Sequence, residues 1–225
     1  MRIDYSATSF ALQTPFYGHR ALMRDLSLLQ QQIINLDKYR KAELKALHQW
    51  FRHFRSLLDK HHQAEDHFLF QELERRIGLP SEEIEAIETE HQHLQFLLDE
   101  MDGLLLRALT QAAADVQPLL QERMILLAQQ FHQHIKHEEE LICQMVEKQV
   151  SHSEQLRLDR RLRQRAPLSY QALFVPWVHD VLSDSERRLL YERVPWYVRL
   201  WVRVCTQRRH QRRWQAIQQP LTSAA

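Results

Sequence analysis

Glycine is scarce: Gly18, Gly78 and Gly103 are the only three in 225 residues. A chain so poor in glycine, with leucine and glutamine abundant, favours helices over strands. Cysteine is scarcer still. Cys143 and Cys205 outline no disulfide scaffold, so a reducing, cytoplasmic setting is the expectation. Long apolar runs are missing too. No stretch reaches the roughly 18 residues that a membrane span needs. The short apolar run from Val198 to Cys205 is interrupted and flanked by arginines. The opening MRIDYSATSF lacks the apolar core of a signal peptide. These absences leave a helical chain of a length that suits one domain plus an appendage.

The formal net charge of +1 hides a division. Residues 1–150 hold 16 basic and 23 acidic side chains, a balance of −7. Residues 151–225 hold 14 arginines, no lysine and six acids, a balance of +8. An acidic bundle followed by a basic extension is the simplest reading.

Hydrophobic period predicts four helices in the first 150 residues. The first, 15–36, buries His19, Leu22, Leu26, Leu29 and Ile33, with Pro15 suited to an early position. The second, 41–77, stops at Gly78 with Pro80 just beyond. Its stripe is Leu44, Leu47, Phe51, Phe54, Leu58, His61, Glu65 and Phe68. The third starts at Ser81, a candidate N-cap, and carries Ile84, Ile87, His91, Leu94, Leu98, Met101 and Leu105. The fourth, 115–150, carries Leu120, Met124, Leu127, Phe131, His134, Glu138, Leu141 and Met145. Short connections predict an all-α, up-down-up-down four-helix bundle over residues 1–150. Residues 151–225 form a basic C-terminal helical extension holding four of the five tryptophans. Ser183 to Glu186 has the form of a capping box. The apolar patches 170–181 and 194–205 are expected to pack on this bundle or on a partner.

Polar residues occupy core positions in these stripes without breaking their period. His61–Glu65 and His134–Glu138 are spaced i,i+4, so each pair puts a nitrogen and an oxygen ligand on one helical face. His19 and His91 lie on the core stripes of the other two helices. A buried carboxylate costs several kcal/mol or more unless its charge is compensated. Two such carboxylates beside core histidines call for cations. Four histidines, two bridging carboxylates and one bridging oxygen would give two metals five bonds each, leaving each an open position. Mixed nitrogen and oxygen donors without thiolate suit iron, with manganese second; zinc prefers fewer ligands. Most of the 14 histidines lie off the stripes, among them His48, His53 and His67. His62–Asp66 is a second i,i+4 pair, one residue out of phase. His93 competes with His91, and His137 and Glu139 are spare groups near the fourth helix. Cys143, one turn beyond Glu138, is either a redox-active thiol or, more commonly at such a position, a structural residue.

Four stretches resemble the hemerythrin-like, or HHE cation-binding, domain family: RALMRDL after His19, HHQAEDHFLFQEL from His61, EHQHL around His91 and HIKHEEELI from His134. The resemblance covers roughly residues 10–150. It implies a four-helix bundle around a non-haem diiron centre with an oxo or hydroxo bridge. It makes His19, His61, Glu65, His91, His134 and Glu138 the metal ligands. Three departures stand out. Gln95 holds the place where oxygen-carrying members have a fifth histidine. Glu138 follows His134 by four residues instead of five. Gln71 and the run 142–144 replace familiar proline signals.

The implied function is a cytoplasmic diiron protein that binds or senses a small oxidant (dioxygen, peroxide or nitric oxide) or iron status. An enzyme reducing peroxide or nitric oxide is the first alternative, and an iron donor for cluster repair the second. The third is an interaction module. Arg208, Arg209, Arg212 and Arg213 beside Trp214 could meet phosphates, but charge runs are usually solvated faces. A protein partner or self-association through residues 151–225 is favoured over nucleic acid.

Overall fold

The computed structural model describes residues 11–202 and Val204. The arginine run 208–213, Cys205, Trp214 and the tail from Gln218 lie outside the described residues. Within them the chain is helical. Helix α1 spans Thr14–Ile34 and ends in a 3-10 turn, Leu36–Lys38. Helix α2 spans Lys41–Ala64. A π-helical turn, Glu65–Leu69, joins it to α3, Phe70–Ile77. Helix α4 is Ser81–Ala108 and α5 is Ala113–Gln149. Four shorter helices follow: α6 (His152–Arg165), α7 (Leu168–His179), α8 (Asp184–Arg193) and α9 (Trp196–Trp201).

Local signals explain most of the boundaries. Gly78 ends α3 in the left-handed region, φ 64°, and donates its N–H to the Glu74 carbonyl at 2.9 Å. Ser183 and Glu186 form the expected reciprocal cap on α8: Ser183 N donates to Glu186 Oε2 at 2.7 Å, and Glu186 N donates to Ser183 Oγ at 3.4 Å. Ser81 is not an N-cap. Pro80 holds that position, and the Ser81 hydroxyl turns back to Glu74 at 3.1 Å. The second predicted helix also differs from expectation. Its period does not run on unbroken, because the π turn inserts a residue into the ladder. After Glu65 the buried stripe re-emerges one place later, so Leu69 and Leu73 face the core and Glu72 does not.

Helices α1 and α4 each pack against both α2 and α5, closing a four-helix bundle. The core comes in two apolar clusters along its length. One includes Leu22, Leu58, Leu94 and Phe131. The other includes Phe16, Phe68, Ile87 and Ile142. The chain meets them in alternating order: α1 passes from Phe16 to Leu22, the second helix from Leu58 to Phe68, α4 from Ile87 to Leu94, and α5 from Phe131 to Ile142. That alternation is the up-down-up-down topology read from side chains. Between the clusters lies one polar layer.

The extension folds back on α1. Trp177, fully buried, donates its indole N–H to Asp25 Oδ2 at 2.8 Å. Arg20 pairs with Glu186 and with the Val181 carbonyl. At the other end of α1, Asp159 accepts the Thr14 N–H at 2.9 Å, which satisfies an otherwise orphaned donor of the first helical turn. Tyr170, Phe174, Val175 and Val178 of α7 join the larger apolar cluster, as do Val198 and Val202. Trp196 is instead 69% exposed. No described helix is long and apolar enough to cross a membrane.

Candidate metal centre

The polar layer gathers five histidines and two glutamates: His19 from α1, His61, His62 and Glu65 from the second helix, His91 from α4, and His134 and Glu138 from α5. All seven are buried. Their donor atoms fall into overlapping groups whose members lie within 4.8 Å of one another: His19, His61 and Glu65; His62, His91 and His134; and Glu65, His91 and Glu138. The six residues expected from sequence therefore meet at one depth. His62 joins them.

Helix geometry explains how two consecutive residues both reach the interior. Neighbours on an α-helix point about 100° apart. His61 meets His19 edge to face, ring centroids 4.9 Å apart, while His62 stacks on His91 at 3.8 Å. They address opposite sides of the layer. Gly18 matters here as well. A Cβ at that position would stand 2.8 Å from His61 Cε1, so α1 can approach the His61 ring only because residue 18 has no side chain.

The inner atoms are close without being hydrogen-bonded. His19, His61, His62 and His91 all turn a buried Nε2 with no hydrogen-bond partner to the layer, and so do all four carboxylate oxygens of Glu65 and Glu138. His61 Nε2 lies 2.9 Å from Glu65 Oε1, and His19 Nε2 lies 3.2 Å from Glu138 Oε2. Those distances suit hydrogen bonds, but the directions do not. Buried polar atoms are normally paired, and eight such atoms without a hydrogen-bond partner in one layer fit a site for metal ions.

Outer carboxylates set the histidine orientation. His19 Nδ1 pairs with Glu139 at 3.0 Å, His91 Nδ1 with Asp66 at 2.8 Å, and His134 Nδ1 with Glu90 at 3.0 Å. A ring that donates from Nδ1 keeps a lone pair on Nε2 for a metal. Glu90 also takes His137 Nδ1 at 2.9 Å, and Glu83 lies 3.3 Å from His137 Nε2. Glu139 and His137 thus stand outside the layer, as does Asp66. His93 is exposed and His48 pairs with Asp102 on the outside. Sequence reasoning gave no role to Glu90; its only signal was its place one residue before His91.

In the metal-free chain these groups perturb one another. Burial opposes a charge on His19, but Glu138, Glu139 and Glu65 outweigh it and hold its pKa well above the usual value. Burial likewise opposes a charge on His91, and Asp66 with Glu65 overcomes it. His62 goes the other way: burial and the neighbouring His91 push it well below the ordinary value. Glu65 resists the upward push of burial because His61 and His19 hold it well below the carboxylate range. Cys143 is half-buried, and burial, with Glu147 and Glu139 nearby, raises its thiol to about 11. It is protonated at neutral pH, which argues against a reactive thiolate.

An apolar cleft reaches the layer from one side. Its lining includes His61 and Glu65 of the layer and Thr14 and Pro15 of α1, and much of its wall comes from α6, α7 and α8. Tyr170 lines it, its phenol kept protonated by burial and by the charge of Glu65.

Comparison with known proteins agrees with this geometry. Residues 18–157 match the sequence profile of the hemerythrin HHE cation binding domain. The chain is also similar to the "Zinc finger protein BRUTUS" of Arabidopsis thaliana, 23% identical over 172 residues. That match covers 76% of this chain and 13% of the plant protein, so the chain spans a small part of that relative's length. No solved structure matches it.

Proposed function

Since this chain belongs to the hemerythrin HHE cation binding domain family, and is therefore a metal-binding protein, we propose that it is a cytoplasmic diiron protein that binds or senses a small oxidant. The observation that carries this reading is the set of eight unpaired, buried nitrogen and oxygen atoms facing one another across the polar layer. Nitrogen and carboxylate donors with no thiolate fit iron first and manganese second.

The residues divide the coordination unequally. His62, His91 and His134 would hold one metal. His19 and His61 would hold the other. Glu65 and Glu138 would bridge, together with an oxo or hydroxo group. Iron held in this way would be six-coordinate on the three-histidine side and would have one position left for a ligand on the two-histidine side. The sequence-based count gave each metal an open position; including His62 closes one and leaves the other. The fifth histidine, absent at Gln95, is supplied by the second helix.

When bound, iron supplies one-electron chemistry and an exchangeable position for a diatomic ligand. The chain's own residues do the rest. Glu139, Asp66 and Glu90 fix the rings of His19, His91 and His134. The two apolar clusters keep bulk water off the layer. Glu65 and Glu138 compensate the cationic charge.

Elemental analysis joined to the absorption spectrum of anaerobically purified protein, before and after air, tests the reading. About two irons per chain and an oxo-bridge band on oxidation are expected. Protein that takes up no iron would end it. Sustained consumption of peroxide or nitric oxide with a reductant would replace binding by catalysis, and iron transfer to an acceptor would favour a donor role.

A further inference from the structure

We infer that the C-terminal extension builds the access path to the metal centre, an apolar cleft that admits an uncharged diatomic molecule and delivers it past Tyr170 to the two-histidine side. This rests on the diiron reading above.

Position comes first. The cleft is lined by His61, which belongs to the proposed two-histidine side, and by the bridging candidate Glu65. Leu162, Ala166, Tyr170, Phe174 and Leu190 form much of its wall, and all five come from the extension. The opposite side of the centre is lined by polar groups. There His91 and His134 are backed by Asp66 and Glu90, and His137 fills the space between Glu90 and Glu83.

Size comes next. About 50 Å³ of the cleft is open to the centre of a water-sized sphere. One water needs roughly 10–15 Å³ on that measure, so a diatomic molecule has room to pass.

Polarity then selects the ligand class. The long polar side chains of the wall are already engaged. Arg163 is ion-paired with buried Asp159 and reaches Thr14 Oγ1 at 3.4 Å. Gln171 gives its amide to the carbonyls of Arg163 and Ala166 at 3.0 and 2.9 Å. Both are held at the end of α6, and the rest of the wall, Leu162, Ala166, Phe174, Val175, Leu190 and Val194, is apolar. An anion entering here sheds its hydration without replacement, at a cost of several kcal/mol; a neutral diatomic has no such cost. Tyr170 and Glu65 both line the cleft, close enough for the carboxylate charge to act on the phenol, which makes Tyr170 the proposed hydrogen-bond donor to an arriving molecule.

Two measurements on the full chain test this. Crystals pressurised with xenon should show xenon among Tyr170, Phe174 and Leu190, whether or not iron is loaded. Absence of xenon there would overturn the path even if the diiron reading stands. In the iron-loaded, reduced protein, nitric oxide should bind severalfold more slowly after Ala166→Phe, with iron content and spectrum unchanged. An unchanged rate would place access elsewhere. Azide, of similar size but charged, should bind far more slowly than nitric oxide to the unsubstituted protein; equal rates would remove the selection for uncharged ligands. A chain that binds no iron yet takes xenon in the cleft would sink the diiron reading and leave the cavity intact. If Ala166→Phe fails to fold, the xenon result still decides.

Discussion

The two sides of the polar layer are built from the same residue types to different ends. The three-histidine side, His62, His91 and His134, is backed by the carboxylates Asp66 and Glu90, the second of which also pairs with His137. The two-histidine side, His19 and His61, faces an apolar cleft under the extension. A symmetric ligand set would have given two equivalent metals. The doubled histidine at 61 and 62 makes the two sides unequal, and under the proposed assignment one side would serve as an anchor and the other as the place where a ligand arrives.

The substitution with the largest expected effect tests what the two sides share. Glu138→Ala removes a bridging carboxylate, and metal content by elemental analysis should fall on both sides together. His62→Ala should separate them: the three-histidine side loses its metal preferentially, and about one metal per chain remains. Retention of both metals would show that His62 is not a ligand. Glu90→Gln leaves every inner residue in place but loosens the His134 and His137 rings, so metal affinity should drop about 10–100-fold.

Proton competition gives a fourth test. Metal uptake must displace protons from His19 and His91, whose pKa values are raised in the metal-free chain. Affinity should therefore rise with pH through those raised values, and metal addition in weak buffer should release protons. In the metal-free chain the sign reverses. The stability those protons give is fully present below about 6.5 and is lost as pH rises through the raised folded values. Uptake with no proton release would contradict the assigned environments.

The smallest effect concerns the extension. Glu186→Gln weakens its pair with Arg20, and urea unfolding should show a loss of about 0.5–1 kcal/mol or less, since Arg20 is partly exposed. Burial opposes the Glu186 charge, but Arg20 and the Ser183 cap lower its pKa. The contribution is therefore present above about 4.5 and fades as pH falls through the lowered value.

Much of this was legible in the sequence because a helical stripe is a local record. His19, His91, His134 and Glu138 each continue an apolar period, so their inward placement follows from spacing. His62 escaped because a single stripe cannot hold two consecutive residues; two facing partners, one for each ring, were needed. Glu90 escaped because it approaches from outside the layer, with a third of its side chain exposed. The cleft could not be read at all. Trp177 meets Asp25 across 152 positions of chain, and no periodicity encodes such a pairing. The tryptophans of the extension suggested packing but not its partner.

The polar layer also bears on how the bundle unfolds. Two oily blocks, one headed by Phe16 and Ile87 and the other by Leu22 and Phe131, are separated by a slab of buried polar groups, eight of whose atoms have no hydrogen-bond partner. Such a slab is a natural seam between cooperative units. Metal would act there as a rivet, turning two weakly connected melting events into one.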